Sequence, residues 1–144
     1  MNHETLKRII FDQHQVIKDA VIIDRNIVLE KDINYVLVGL RRAGKTTLLY
    51  KRVQELINEG VDWKQIIYIN FDDERLIEFT ANDFDDILLV AEELTNKKHY
   101  FYFDEIQNID GWEKFAIRVA NQGYKVDITG SNAKMLSKEV EAKL

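Results

Sequence analysis

Four short apolar runs punctuate the chain, and helix-period patterns fill the spaces between them. The runs are Tyr35 to Val38, whose strand is expected to open at Asn34, then Ile66 to Phe71, Tyr100 to Phe103 and Tyr124 to Thr129. Nearly continuous apolar stretches of this length suit parallel strands buried on both faces. Before the first run, Leu6, Ile9, Ile10, Val16, Ile17 and Val21 recur at helical spacing, with Lys7, Arg8, Asp12 and Lys18 between them. Lys45 to Asn58 repeats the pattern through Leu48, Leu49, Val53 and Leu56, and Glu59-Gly60 supplies a helix end. Asp83 to Thr95 carries Phe84, Ile87, Leu88, Ala91 and Leu94 on one face. Trp112, Phe115, Ala116, Val119 and Ala120 mark a further helix, and another begins at Asn132. Ile22-Ile23 and Ile27 to Leu29 are short enough to be strand or loop. Strand and helix alternating at about 30-residue spacing predict an α/β fold in three layers, a mostly parallel sheet with helices on both faces.

The first strand leads into Gly39-Leu40-Arg41-Arg42-Ala43-Gly44-Lys45-Thr46, which fits G-x-x-x-x-G-K-[ST] at every fixed position. A strand before this pattern and a helix after it are the setting in which it works as a phosphate loop. Gly39 and Gly44 can take backbone angles closed to other residues, so the main chain can approach a phosphate closely. The loop N–H groups then form an anion nest, and the following helix presents its positive end. Lys45 brings a mobile charge to the β- and γ-phosphates, and Thr46 brings a hydroxyl for Mg2+. Leu40, Arg41, Arg42 and Ala43 complete the nucleotide-binding segment, and Thr47 closes it. Arg41 and Arg42 have three readings: approach to phosphate, contact with a partner, or solvation.

The third run ends in Asp104-Glu105. Ligands of open α/β sheets bind beyond the carboxyl ends of the strands, which puts both acids on the phosphate-loop edge. An aspartate in this place holds Mg2+, and a neighbouring acid orients and deprotonates an attacking water. Asp104 is therefore assigned to the metal and Glu105 to the water. Alone, the pair would read as a solvated strand end; with the loop upstream it points to hydrolysis rather than transfer to a small molecule. After the fourth run, Ser131 or Asn132 can reach the γ-phosphate or the water and joins Lys45 and Glu105 as a catalytic candidate. Ser131 as the N-cap of the next helix is an equal reading. Asn70 either contacts Glu105 or ends its strand, and Arg75 is solvated or a charge sensor. His3, His14 and His99 lack metal-ligand spacing, and Trp63 and Trp112 read as packing residues.

The 144 residues suit one domain, with 1–33 as N-terminal helix and lead-in and 34–144 as nucleotide-binding core. A formal net charge of −5 argues against a strongly electrostatic nucleic-acid binder. The chain has no cysteine, which excludes disulfides and thiolate metal sites and suits the cytoplasm. No apolar run approaches the ~20 residues that span a bilayer, and the N-terminus is not signal-like.

Four segments taken in order, Gly39 to Leu49, Tyr68 to Leu76, Phe103 to Glu113 and Ile128 to Glu139, resemble the AAA-domain ATPases of bacteria and archaea that carry a C-terminal domain of unknown function. The resemblance runs from about Val36 onward. It implies an additional-strand P-loop fold of the AAA+/RecA-like type, ATP with Mg2+ as ligands, and roles for Gly44, Lys45, Thr46, Asp104 and Glu105 that agree with the chemistry above. Members are longer, so the resemblance places the last core strand, any lid and the sensor arginine outside this sequence. The strand at Tyr35 to Val38 would then lie on an open edge, an aggregation risk unless Ile22-Ile23 or Ile27 to Leu29 covers it. ATP binding is accordingly expected to survive better than hydrolysis. The leading function is an ATPase whose hydrolysis drives a conformational change in a larger assembly. A homo-oligomer neighbour or protein partner would supply an arginine. The alternatives are a nucleotide-dependent switch that hydrolyses slowly, a kinase, which Glu105 disfavours, and an inactive fragment.

Overall fold

A computed structural model describes residues 1–23, 29–30, 32–39 and 44–131. In chain order the elements are α1 (His3–Asp19), β1 (Val36–Val38), α2 (Lys45–Asn58), β2 (Ile66–Asn70), α3 (Phe84–Leu94), β3 (Tyr100–Asp104), α4 (Trp112–Asn121) and β4 (Lys125–Gly130). Ile27, Val28 and the helix expected over 132–144 lie outside the described residues.

The four strands form one parallel sheet in the order β1-β4-β3-β2. Val38 lies opposite Gly130, and Asn70 opposite Asp104, so the carboxyl ends of all four strands share one edge. Strand alternation sorts the side chains into two cores. Ile67, Ile69, Phe101, Phe103, Val126 and Ile128 face α3 and α4, where Phe84 and Phe115 stack with ring centroids 4.4 Å apart. Ile66, Tyr68, Tyr100 and Tyr102 face Leu49, Val53 and Leu56 of α2. Each such side chain, fully buried, contributes about 1.5–3 kcal/mol relative to leaving it exposed. Helices thus cover both faces of a parallel sheet, the three-layer α/β arrangement of P-loop NTPases.

At the β2 edge, α1 joins both cores. Asn2 caps the helix, its Oδ1 accepting from the Thr5 N–H at 3.0 Å. Leu6, Ile9 and Ile10 pack with the α3 and α4 side, and Ile17 with the α2 side. His14 lies between these two sets, and its Nε2 donates to the Ile66 carbonyl at 2.7 Å. A main-chain acceptor of the edge strand is thereby satisfied.

β1 forms the other edge of the described sheet, and it is shorter than the expected Asn34 to Val38. The reason is that Asn34 and Tyr35 bond to β4 partly through side chains. The Asn34 amide stands in for a peptide group: its Oδ1 accepts from the Val126 N–H at 2.9 Å and its Nδ2 donates to the Tyr124 carbonyl at 3.3 Å. Next in line, the Tyr35 N–H donates to Asp127 Oδ1 at 2.9 Å. Ile22 and Ile23 do not cover this edge with a strand; Ile23 is 81 % exposed. Leu29 is buried in the α2-side core. Among the described residues no helix is long and apolar enough to cross a membrane.

Candidate functional site

The sheet topology delivers three segments to one place: the entry to α2, the end of β3 and the end of β4. β1 runs into Gly39, whose N–H donates to the Gly130 carbonyl at 3.2 Å. Gly44 opens α2 in the left-handed region, with φ 89° and ψ 8°. A Cβ disfavours that conformation, and glycine takes it freely. Lys45 Nζ donates to the Gly39 carbonyl at 2.8 Å and lies 3.4 Å from Ser131 Oγ. The loop residues Leu40, Arg41, Arg42 and Ala43, and the candidate Asn132, lie outside the described residues.

Asp104 ends β3 and is 1 % exposed. Its described partners are three hydroxyls. Oδ2 accepts from Thr46 Oγ1 at 2.8 Å and from Tyr68 Oη at 2.5 Å, and Oδ1 accepts from Thr129 Oγ1 at 2.5 Å. Burial, and then the negative charge of Asp104, push the Tyr68 phenol well above its ordinary range, so it remains a donor. Thr46 thus meets Asp104 across the gap between α2 and β3.

Glu105 is the only described non-glycine residue with positive φ, at φ 55° and ψ 45°. Such a conformation costs on the order of 1–3 kcal/mol and persists only where its surroundings impose it. Here they do. The Glu105 N–H donates to Thr129 Oγ1 at 3.0 Å, so one hydroxyl fixes both acids. The next residue, Ile106, is fully buried and starts a short 3-10 turn, Ile106–Asn108. Glu105 Oε1 accepts from Ser131 Oγ at 2.5 Å, and Oε2 accepts from Gln107 Nε2 at 2.6 Å.

The remaining polar residues near this edge are engaged locally. Asn70 Oδ1 accepts from the Asp72 N–H at 2.9 Å and so closes the end of β2. The Arg75 guanidinium pairs with Asp73 at 2.8 Å and Asp12 at 2.7 Å, which ties the loop after β2 to α1. Tyr68, Thr129 and Gln107 are site neighbours that motif reading does not single out. For Tyr68 the available signal was a hydroxyl two residues before the end of an otherwise apolar strand.

The profile of the AAA domain family matches residues 31–144. The chain belongs to that family. An uncharacterised protein of Methanocaldococcus jannaschii is 37 % identical over 140 residues, which cover 96 % of this chain and 30 % of that protein. An uncharacterised protein of Haemophilus influenzae is 35 % identical over 123 residues, 81 % of this chain and 30 % of that protein. The chain thus spans 30 % of the length of each of these relatives.

Membership places this AAA domain in a nucleotide-binding class, and the donor set suits such a ligand. Among the described residues no group of three or more His, Cys, Asp or Glu side chains could hold a metal alone. One carboxylate and one hydroxyl converge instead. Mg2+ favours that kind of site, because it takes hard oxygen ligands, retains waters and shares substrate phosphates.

Proposed function

We propose that this AAA domain binds ATP with Mg2+ at the carboxyl edge of its sheet and hydrolyses it, driving a conformational change in a larger assembly. The observation that carries the reading is the Thr46–Asp104 contact of 2.8 Å, set beside the chain of bonds from Lys45 through Ser131 to Glu105. Magnesium, when bound, supplies positive charge that offsets the charge of the phosphate oxygens. Thr46 and Asp104 are the residues that would hold it. Gly39, Gly44 and Thr47, with Leu40, Arg41, Arg42 and Ala43, form the proposed phosphate-binding segment, and Lys45 adds its ammonium. Glu105 accepts a proton from water as the water oxygen attacks the terminal phosphorus and the bond to the ADP oxygen breaks. Ser131 and Asn132 orient the phosphate or the water, and an arginine from a second copy or a protein partner adds charge. The slower alternative, a nucleotide-dependent switch, draws support from one observation: both Glu105 oxygens are already engaged.

Titration of ATP and GTP against the wild type and Lys45→Ala, with and without Mg2+, tests the site. ATP binding should depend on Mg2+ and weaken at least about tenfold in the variant, or ~1.4 kcal/mol. Equal binding by the two proteins would sink the assignment. Glu105→Gln then separates hydrolysis from switching: turnover should fall by about 10²-fold or more while binding persists.

A further inference from the structure

We infer that Gln107 is a positioning residue for Glu105 and that the two carboxylate oxygens have separate duties. Gln107 holds Oε2 throughout, whereas Ser131 covers Oε1 and releases it when a terminal phosphate arrives. The inference rests on the hydrolytic reading above.

The two clamps are built differently. Gln107 rides on the Ile106–Asn108 turn, whose anchors are remote from the phosphate segment. Ile106 is buried in the α3 and α4 core, and Asn108 Nδ2 donates to the Phe71 carbonyl at 3.1 Å and to Asp72 Oδ1 at 2.7 Å. The orientation of the Gln107 amide is fixed as well, because only its NH2 end can face a carboxylate at 2.6 Å. Nothing in this half of the clamp calls on Lys45, Gly39 or Gly44.

The Ser131 half is coupled to the phosphate segment. Ser131 Oγ lies 2.5 Å from Glu105 Oε1 and 3.4 Å from Lys45 Nζ, which itself sits on the Gly39 carbonyl. A serine hydroxyl carries one proton, so it cannot donate to Glu105 and to a phosphate oxygen at once. A terminal phosphate that draws Lys45 and Ser131 therefore uncovers Oε1 and leaves Oε2 in place. The base becomes available at one oxygen, with its direction still set by Gln107. This ties water activation to occupancy of the phosphate position.

The test uses the 15N-labelled chain with Mg2+ and either ADP or a non-hydrolysable ATP analogue. The Gln107 side-chain amide is identified by its loss in Gln107→Ala. Its resonance should stand apart from those of solvated glutamines and should stay apart when the analogue binds. Its collapse onto the solvated position on analogue binding would overturn the inference. In turnover, Gln107→Ala should lower kcat at least about tenfold with KM within about twofold. An equal change in both, or in neither, also overturns it. The resonance decides where turnover is slow. A wild type that binds no nucleotide removes the hydrolytic reading and this inference together, whereas normal binding with an unmoved kcat at Gln107→Ala removes this inference alone.

Discussion

Asp104 and Asp127 lie on neighbouring strands, face the same side of the sheet and are both shut from solvent, yet they are held in opposite ways. Asp127 has an internal counter-ion: Lys125 Nζ is 2.5 Å from its Oδ1 and also donates to the Ile33 carbonyl at 2.6 Å. Burial pushes the Asp127 carboxyl up and the Lys125 ammonium down from their ordinary ranges, and their mutual attraction opposes both shifts. Asp104 instead accepts from three neutral hydroxyls. The pair in the amino-terminal half of β4 is electrically closed. The carboxyl edge keeps a fixed negative centre that a cation can complete. One face of one sheet therefore carries a structural acid and a candidate functional acid, told apart by partner chemistry rather than by burial.

The largest effect should come from opening the closed pair. Lys125→Met leaves Asp127 buried and uncompensated and should cost about 3–5 kcal/mol in urea unfolding. Apolar replacement of both residues should recover most of that. Nucleotide affinity of the folded protein should stay within about twofold. Asp104→Asn should also lower stability, by about 1–3 kcal/mol because its three hydroxyl donors lose a charged acceptor, but it should in addition remove the Mg2+ dependence of nucleotide binding. If both variants lose stability equally and bind nucleotide alike, the distinction between the two acids is wrong.

Tyr68 sharpens the comparison, since it is a core residue of β2 and a donor to the site. Tyr68→Phe keeps the ring against Tyr50 and Tyr102 and removes only the hydroxyl. A lost hydrogen bond to a charged group is worth about 1.5–3 kcal/mol, and unfolding should register it. The same variant should weaken Mg2+-dependent nucleotide binding, because the Asp104 carboxylate loses one of its restraints. Lower stability with unchanged binding would demote Tyr68 to packing alone.

These partners also mark the boundary of what sequence could reveal. The Gly39 to Thr46 pattern, the four runs and the Lys45 to Asn58 helix were legible because each is a local signal. Chemistry and spacing sit together within a few residues. Tyr68 meets Asp104 only because Asn70 and Asp104 are in register across β2 and β3. Thr129 bridges the two acids only because β4 lies between β1 and β3. Neither pairing is written in any local period. Gln107 is closer in sequence but reaches Glu105 through a left-handed turn, which two-residue spacing alone does not announce. Asn34 was read as strand because the pattern registers polarity and not the ability of a side-chain amide to replace a peptide group. The charge-sensor reading of Arg75 depended on what faced it, and Asp12 and Asp73 face it.

The smallest effect concerns the amino-terminal end of the sheet, where His14 meets the start of β2. Its ring is buried against Trp63, with centroids 5.1 Å apart, and its Nε2–H donates to the Ile66 carbonyl. Burial holds its pKa below the ordinary 6.5; the Ile66 carbonyl opposes that shift, and nearby Lys18 adds to it. The unfolded chain thus binds a proton at a pH where the folded chain still refuses it. The stability His14 contributes is present above pH 6.5 and is lost as pH falls through the depressed folded value. His3 works in the other direction. Asp86 and then Glu93 raise its pKa, so its contribution is present below 6.5 and lost as pH rises through the raised value. The two partly cancel in the wild type, so the informative quantity is a difference. His14→Gln retains a donor for Ile66 and does not titrate. Its stability relative to the wild type should improve as pH falls from about 7 to about 5, with nucleotide affinity unmoved. A constant gap across that range would mean that His14 is not held neutral. A shift in nucleotide affinity would mean that this end of the sheet is not closed off from the carboxyl edge.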